Sequence, residues 1–560
     1  MRMSRATSNY VLTSSLFFSS AFAFVSLSAS PRTRLLRHAL CITRGGSTVA
    51  LEEAITTKQA YDNVVEHLQS ITHLSRASAV LSYDQMVFMP QTEQASKARG
   101  EQSAALAAVI HEKSIDPKLG EWLQKAFPQT DEVKARVVAL AKKAYDKKTK
   151  IPTALASKQA SLSSEAYQTW TGARAKDDFS LFQGVLGQGI DVAKEAASVI
   201  QTEEDKMANK SLYATMLDEY EVGMDPERID DIFGQIKDAL VPLIAKVLGP
   251  GATAPDISLL KGNFDIPAQE ALSKQIVRSI GYDDSNGRID VSVHPFSSGI
   301  SKHDVRITSR FSPNEWYQGL AGSIHEAGHA MYEQNLGDSG LPIDAALSMG
   351  MHESQSLFWE RHIGLSKAFW QYAAPIVKDH LGIADEDASP EALYAAVNAA
   401  NRSLIRVEAD ELTYPLHVIL RYRLERDFIE GKLDVSDIPA QWNQGMKDLL
   451  EVDVPSDAQG CLQDVHWSML AYGYFPTYLI GAATAAQWAH YCQKDIPDFE
   501  EKIANGDFAE IKAWMTTKVH QHGSWYTSLD NHLEAQVGEP LNPKYFIDYL
   551  TAKYCDLYKC

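Results

Sequence analysis

Apolar and polar residues follow one another along most of this chain with the three- and four-residue spacing of amphipathic helices. The first such segment places apolar side chains at Tyr61, Val64, Val65, Leu68 and Ile71. This spacing puts the side chains on one helix face, which can then pack against a core. Alternation with period two is confined to about residues 288–310. The pattern therefore predicts a mainly α protein with a small β-sheet.

A helix is predicted over residues 316–335, which contain no proline. Ser312 is expected at its N-cap, Pro313 at the first helical position and Glu315 at the third. These residue types satisfy or replace the unpaired amides of a first turn. Any motif near residue 325 should therefore lie well inside a helix.

His325-Glu326-Ala327-Gly328-His329 occupies that position. Four helical residues turn the chain by about 400°, so the two imidazoles point the same way, about 6 Å apart along the axis. Such a pair suits two ligands of one Zn²⁺ ion, and Glu326 is then the natural base for a metal-bound water. Co²⁺ accepts the same ligand types.

A zinc ion of this kind needs a third protein ligand. Glu353 is the candidate, because it follows His329 by 24 residues within a second proline-free run, 345–363. We expect this run to form a helix packed back on the first one. The site would then hold one ion per chain on His325, His329 and Glu353.

Composition limits the class of protein. The chain has 560 residues, 45% of them hydrophobic, and a formal net charge of −19. No linker-like stretch or internal repeat follows residue 60, so residues 51–560 are expected to form one unit. The negative charge argues against a nucleic-acid partner. The five cysteines are scattered and predict neither a disulfide framework nor a thiolate metal site.

The composition of residues 1–50 predicts a cleavable targeting presequence. Arg2 and Arg5 precede an apolar run at 11–25, and residues 26–46 are rich in Ser and Arg and contain no acidic residue. A signal-like part followed by a transit-like part resembles a bipartite plastid presequence. A mitochondrial or secretory presequence is the alternative. No later segment is long enough to span a bilayer, so no membrane is expected in the mature form.

An ordered series of short motifs resembles the thermostable carboxypeptidase (Taq-type) family of zinc metallocarboxypeptidases, peptidase family M32, over roughly residues 55–555. The motifs, in chain order, are Tyr83-Asp84-Gln85 with Met89-Pro90, His294-Pro295-Phe296, Asp304-Val305-Arg306-Ile307-Thr308, the His325–His329 segment, His352-Glu353-Ser354-Gln355, Ile405-Arg406-Val407-Glu408-Ala409-Asp410 and Gly460-Cys461-Leu462-Gln463-Asp464-Val465-His466-Trp467. Tyr83 departs from the tryptophan expected there.

The resemblance implies a large, two-lobed helical peptidase with a deep central cleft and a small sheet at the cleft edge. It also implies a homodimer that removes single C-terminal residues from peptides with broad specificity. An oligopeptidase or dipeptidyl carboxypeptidase on the same scaffold is one alternative. A catalytically silent metal-binding scaffold is another, although such a protein would be expected to have lost Glu326 or a ligand.

Further site residues are expected around the metal. His466 and Tyr474 are candidates to stabilise the oxyanion, by resemblance to oligopeptidase relatives, or else they are core residues. Arg406 is the first choice to bind a substrate carboxylate, because its planar fork matches two oxygens. The alternative is a helical pair with Asp410. Pro415 should bend a helix and turn Tyr414 toward the cleft.

The strand at residues 304–308 has a polar face. If this strand is an exposed edge, it could add a substrate peptide as a further strand. Arg306 then either contacts substrate or pairs with Asp304. His294, in His294-Pro295-Phe296, belongs either to a turn that packs the sheet or to a wall of the cleft.

Overall fold

The computed structural model describes residues 55–384 and 388–560, so the predicted presequence lies outside the described residues. The helices are α1 Thr57–Val87, α2 Glu93–Ser114, α3 Pro117–Lys125, α4 Glu132–Lys150, α5 Thr153–Lys176, α6 Ser180–Ile200, α7 Glu203–Met207, α8 Leu212–Leu217, α9 Pro226–Val247, α10 Ile266–Ser279, α11 Tyr317–Asn335, α12 Met349–Leu357, α13 Lys367–Leu381, α14 Pro390–Val397, α15 Tyr414–Ile429, α16 Ile438–Leu450, α17 Pro476–Asp495, α18 Phe499–Ala504, α19 Ala509–Lys518, α20 Leu529–Val537 and α21 Lys544–Tyr558. The strands are β1 Gly287–Val291, β2 Phe296–Ser301 and β3 Asp304–Ser309. The predicted mainly α class with a small sheet is confirmed.

Buried apolar side chains form two clusters. The larger cluster extends from Leu155 in α5 to Tyr558 in α21 and contains the metal-motif helix α11. The smaller one joins α1, α3 and α4. Within the two described ranges, none of the helices is both long enough and apolar enough to cross a bilayer.

The sheet has the order β1-β3-β2, with β1 parallel and β2 antiparallel to β3. The strand at residues 304–308 is therefore central, and the prediction that it offers an exposed edge is wrong. Both of its hydrogen-bonding edges are taken by neighbouring strands, so a substrate peptide cannot be added there. β2 and β3 pack against α11, which places the sheet beside the metal-motif helix.

Helix α11 spans Tyr317–Asn335, which agrees with the predicted proline-free run 316–335, but it does not begin through the predicted N-cap. Ser312 lies before the helix and pairs with Glu315 in an isolated β-bridge. The Glu315 carboxylate instead accepts the backbone N–H groups of Tyr317 at 2.8 Å and Gln318 at 3.1 Å. A carboxylate at this end also interacts favourably with the helix dipole.

The second predicted helix starts later and ends differently than expected. Ser348 caps α12 through the N–H of Met351, and residues Phe358–Gly364 continue it as a π-helix. A π-turn adds a residue to the helical repeat and so changes which side chains face a site. Glu360 and Arg361 both lie in this π-helix.

Two glycines let α12 approach its neighbours closely. A Cβ atom at Gly328 in α11 would lie 2.7 Å from the carbonyl oxygen of Gln355, and one at Gly481 in α17 would lie 2.8 Å from Cβ of Glu353. Distances this short are not tolerated between non-bonded carbon or oxygen atoms. The helix that carries Glu353 is therefore held tightly between α11 and α17.

Candidate metal centre and active site

His325, His329 and Glu353 meet in space as the sequence predicts. Their ligand atoms all lie within 4.8 Å of one another. Glu353 Oε2 is 3.9 Å from His325 Nε2 and 3.5 Å from His329 Nε2. Tetrahedral zinc with bonds of roughly 2.0–2.1 Å requires ligand atoms about 3.4 Å apart. The three residues therefore fit a zinc-sized divalent ion with little adjustment.

The other ring nitrogen of each histidine is fixed by a hydrogen bond. His325 Nδ1 lies 2.6 Å from Glu360 Oε2, and His329 Nδ1 lies 3.1 Å from the carbonyl oxygen of His352. Acceptors on Nδ1 select the tautomer that leaves Nε2 available for a metal. Glu360, in the π-helix, thus supports the ligand set and was missed in the sequence. Its position seven residues after Glu353, about two helical turns, was the available signal.

Glu326 projects from the same helix turn as the two histidines and is 5% exposed. Its Oε2 atom has no protein hydrogen-bond partner among the described residues. Burial raises the pKa of this carboxyl group, whereas the charges of His325 and His329 oppose the shift. A carboxylate with a raised pKa is a better proton acceptor near neutral pH.

Glu353 shows the opposite behaviour. Burial by itself raises the pKa of its carboxyl group, but the hydrogen bond from His329 and the charge of His325 outweigh burial and lower the pKa to about 2. The group is therefore ionised at neutral pH. The pKa values of two glutamates in one site are thus shifted in opposite directions, which suits Glu353 to metal binding and Glu326 to accepting a proton.

A small cavity opens beside the ligand set. Its walls are His329, Met349, His352, Glu353, Tyr474, Thr477 and Tyr478. Tyr474, predicted from the sequence, therefore reaches the site, and so does Tyr478, which was missed. Tyr478 lies one helical turn after Tyr474, on the same side of the segment that enters α17, and this spacing was the signal that could have found it.

His466 lies behind this cavity and does not form part of its wall. It is 3% exposed, and its Nε2 atom is 3.0 Å from the hydroxyl oxygen of Tyr478. Burial, together with the charge of Arg406, lowers its pKa to about 3, so the imidazole is neutral. His466 contacts two residues of the cavity wall, Tyr478 through this hydrogen bond and Tyr474 through ring packing at 5.4 Å between centroids.

Arg406 is buried, but its partner is not the predicted one. Its Nε donates to Asp464 at 2.9 Å and its Nη1 donates to the hydroxyl oxygen of Tyr414 at 2.9 Å. Residues Arg406–Glu408 form a 3-10 turn, and Asp410 instead accepts the N–H groups of Asn401, Leu412 and Thr413. The alternative of a helical pair with Asp410 is therefore wrong.

Asp464 is shared by two arginines, since Arg421 Nε also donates to it, at 2.6 Å. Two buried cations on one carboxylate leave a net positive charge, which favours a further anion. Asp464 was present in a quoted sequence motif, but nothing local linked it to Arg406.

Tyr414 stands beside Arg406 at the start of α15. Pro415 occupies the first turn of this helix, so it begins the helix and does not bend it, contrary to the prediction. The Tyr414 ring lies 6.2 Å from the Tyr478 ring, measured between centroids. This contact connects the arginine pair to the metal-side cavity.

Arg306 and His294 belong to the sheet. Arg306 donates two hydrogen bonds to Asp304, at 2.7 and 2.8 Å, and its guanidinium lies 5.0 Å from the Tyr83 ring centroid in α1. Of the two alternatives for Arg306, the structure shows the pairing with Asp304. The backbone carbonyl of His294 accepts from the hydroxyl of Ser292, as in a turn that packs the sheet. Its imidazole is half-buried, and burial lowers its pKa.

The similarity to known proteins extends over nearly the whole chain. Residues 63–554 match the model of the Carboxypeptidase Taq (M32) metallopeptidase family. Carboxypeptidase 1 of Bacillus subtilis (strain 168) is 37% identical over 496 residues, which cover 88% of this chain and 97% of that protein. Thermostable carboxypeptidase 1 of Thermus thermophilus is 35% identical over 516 residues, covering 90% and 100%.

Solved structures of M32 carboxypeptidases have a fold similar to that of this chain. The M32 carboxypeptidase from Deinococcus radiodurans R1 superposes with a TM-score of 0.85 at 33% identity, covering 90% of this chain and 100% of that chain. Metallocarboxypeptidase 1 of Trypanosoma cruzi gives a TM-score of 0.83 at 32% identity, with the same coverage. With its ligand triad, buried glutamate and mainly α fold, the chain belongs to the M32 family of metallocarboxypeptidases.

Proposed function

We propose that this enzyme is zinc-dependent and removes single residues, with broad specificity, from the C-terminus of peptides. The observation that carries the proposal is the buried cation Arg406, which donates to the Tyr414 hydroxyl. The Tyr414 ring packs on the ring of Tyr478, which lies in the wall of the metal-side cavity. A free C-terminal carboxylate is the substrate group that such a cation fits. Met349, Thr477 and Tyr478 in the cavity wall are neutral, so they do not select a substrate side chain by its charge, which supports broad specificity.

The ligand set would be His325, His329 and Glu353, with one ion per chain. A bound Zn²⁺ ion supplies a Lewis acid and a water of lowered pKa. Two nitrogens and one carboxylate oxygen are the donor types that zinc prefers, although Co²⁺ accepts them too. Elemental analysis of the purified protein tests the metal, and a content well below one zinc per chain would contradict the proposal.

Glu326 has the position of the general base. We assign to it the proton of the attacking water, which it then passes to the amine that leaves. Its burial and its unpartnered Oε2 atom support this role. Replacement by Gln preserves the shape of the side chain but cannot accept the proton.

Tyr474 and Tyr478 are assigned to the substrate oxyanion, each as a hydroxyl donor in the cavity wall. In the Nε2–H tautomer, His466 donates to the hydroxyl oxygen of Tyr478 and so holds this hydroxyl in place. One well-placed donor of this kind contributes about 3 kcal/mol to transition-state stability. His466 is therefore proposed as a positioning residue.

The test compares a free-acid peptide with its C-terminal amide, by mass spectrometry of the products. Loss of single residues from the free acid and poor cleavage of the amide are expected. Release of two-residue fragments would instead support a dipeptidyl carboxypeptidase, and internal cleavage of both peptides an oligopeptidase. The Glu326→Gln variant should retain its metal and lose nearly all turnover. Activity above about a tenth of wild type at equal metal content would refute the base assignment.

Arg406→Ala tests carboxylate recognition. Because the variant leaves a substrate anion without its partner, kcat/KM for free-acid peptides should fall about 30- to 1000-fold. Amides should change far less. Equal losses on both would mean that Arg406 serves only to pair with Asp464. Arg306 is a weaker candidate for this role, since its guanidinium is already paired with Asp304.

Two further properties belong to the proposal. The family resemblance supports a homodimer, which light scattering of the purified protein tests, and a monomer at micromolar concentration would contradict it. The composition of residues 1–50 supports import into a plastid, with the mitochondrion or the secretory pathway as alternatives.

A further inference from the structure

Arg361 differs from the other buried arginines of this protein. Arg406 and Arg421 each have Asp464 within 3 Å of a guanidinium nitrogen, at 2.9 and 2.6 Å. For Arg361, which is 7% exposed, no carboxylate of the described residues lies within ion-pair distance, and its Nη1 atom is sealed from solvent without a hydrogen-bond partner. Burial lowers the pKa of this guanidinium, but the charges of Glu360 and Glu411 outweigh burial and raise it, so these anions act on Arg361 from beyond ion-pair distance. The buried Nη1 atom has lost water without gaining an acceptor, which is costly.

The neighbouring carboxylates are engaged elsewhere. Glu360, the preceding residue, holds His325 Nδ1 at 2.6 Å. Glu411 accepts hydrogen bonds from Lys553 and Tyr549. Both glutamates stabilise the charge of Arg361 from a distance, but neither accepts a hydrogen bond from it, so its buried Nη1 donor lacks an acceptor among the described residues.

Arg361 and Arg406 approach the same aromatic ring. The guanidinium carbon of Arg361 lies 5.4 Å from the centroid of the Tyr414 ring, and that of Arg406 lies 5.8 Å from it. Arg406 already gives Nε and Nη2 to Asp464 and Nη1 to the Tyr414 hydroxyl. Most of its fork is thus occupied, which limits its ability to bind both oxygens of a second carboxylate.

We propose that Arg361 is a second cation of the carboxylate subsite, and that a substrate's C-terminal carboxylate binds beside Tyr414 with contacts to both Arg361 and Arg406. This inference rests on the proposed carboxypeptidase function and adds a residue to it. The incoming anion satisfies the donors that Arg361 leaves unpaired in the free enzyme. Arg361 then contributes to selection of a free C-terminus over an amide.

The experiment measures kcat and KM of the zinc-loaded enzyme for matched N-acylated dipeptides with a free or an amidated C-terminus. For Arg361→Gln, KM for the free acids should rise about 10- to 100-fold while kcat stays within about threefold, because the contact is made in the ground state and the transition state alike. KM for the amides should stay within about twofold. Arg361→Lys, which keeps the charge but not the fork, should give a smaller rise for the free acids alone.

Controls separate this role from a structural one. Arg278→Gln removes an exposed arginine that pairs with Asp284 and should leave both substrates unaffected. Metal content is measured for each variant, since Arg361 lies close to Glu353 in the fold. Equal changes for acids and amides, or loss of the metal in both the Gln and the Lys variant, would overturn the proposal. A wild-type enzyme that does not prefer free acids would refute the proposed function itself, a different result.

Binding gives a second readout that does not require turnover. N-acetyl amino acids and their amides are titrated into wild-type enzyme and into Arg361→Gln by calorimetry. The variant should lose about 10-fold or more of its affinity for the acids and none for the amides. Unchanged binding of the acids would overturn the role of Arg361.

Discussion

Glu360→Gln is predicted to weaken metal binding without changing a ligand. The Glu360 carboxylate lies 2.6 Å from His325 Nδ1, a short, charge-assisted hydrogen bond. Gln can still accept this N–H through its amide oxygen, so the ring orientation is kept and only the charge is lost. Removing such a partner of a ligand histidine typically costs about 10- to 100-fold in metal affinity, or about 1.4–2.7 kcal/mol.

Zinc affinity of the apoprotein is measured by competition with a chromophoric chelator at fixed pH. The chain offers a matched control in Glu333→Gln. Glu333 Oε1 lies 3.0 Å from His352 Nε2, so this variant also removes a carboxylate from a carboxylate–histidine pair, but the histidine is not a ligand. His352 is not one of the three candidate ligands; its carbonyl oxygen accepts from His329, and its ring packs on the His329 ring at 4.5 Å between centroids. Glu333→Gln should therefore leave the dissociation constant within about threefold.

The comparison distinguishes a specific effect from a general loss of negative charge near the ion. If both variants weaken zinc binding equally, the hydrogen bond to His325 has no special role. If Glu360→Gln binds zinc as tightly as wild type, the argument that Glu360 tunes the ligand is wrong. A thermal unfolding curve of each apoprotein shows whether the fold is intact.

Three further results are expected. Gly481→Ala should displace Glu353, because the new Cβ would lie 2.8 Å from Glu353 Cβ, and should weaken zinc binding and cost about 1–3 kcal/mol of stability. Gly234→Ala, with open space around it, should instead stabilise α9 by about 0.5–1 kcal/mol. Thermal unfolding that ranks the two variants the other way would contradict this. Burial lowers the pKa of His362, His466 and His520 to about 3, and that of His532 to about 4. The unfolded chain binds these protons near pH 6.5 and the folded chain does not. The free energy of unfolding should therefore fall as pH drops below 6.5, by up to about 1.4 kcal/mol per pH unit for each histidine. His520→Gln should make the free energy of unfolding, measured by calorimetry, depend less steeply on pH. Residues 1–55 fused to a fluorescent protein should direct it to a plastid, and a cytosolic fusion would exclude the targeting hypothesis.

The sequence by itself determined the features that depend on local geometry. His325, Glu326 and His329 lie within one turn of helix, where backbone hydrogen bonds fix side-chain directions, so their common placement followed from their spacing alone. Glu353 required one further step, a second helix packed against the first. The mainly α class followed from the apolar spacing, because that spacing must match the helical repeat wherever a face is buried.

The tertiary structure decided the pairings between distant segments. Arg406 finds Asp464 58 residues away and not Asp410 four residues away, because the turn at Arg406–Glu408 is not part of a helix. β3 is central because β1 pairs with it in parallel, which no local pattern reveals. Arg361 and Arg406, from separate segments, approach one tyrosine ring only after the helices have packed. Spacing along the chain fixes side-chain direction within a helix, but only packing sets the distance between helices.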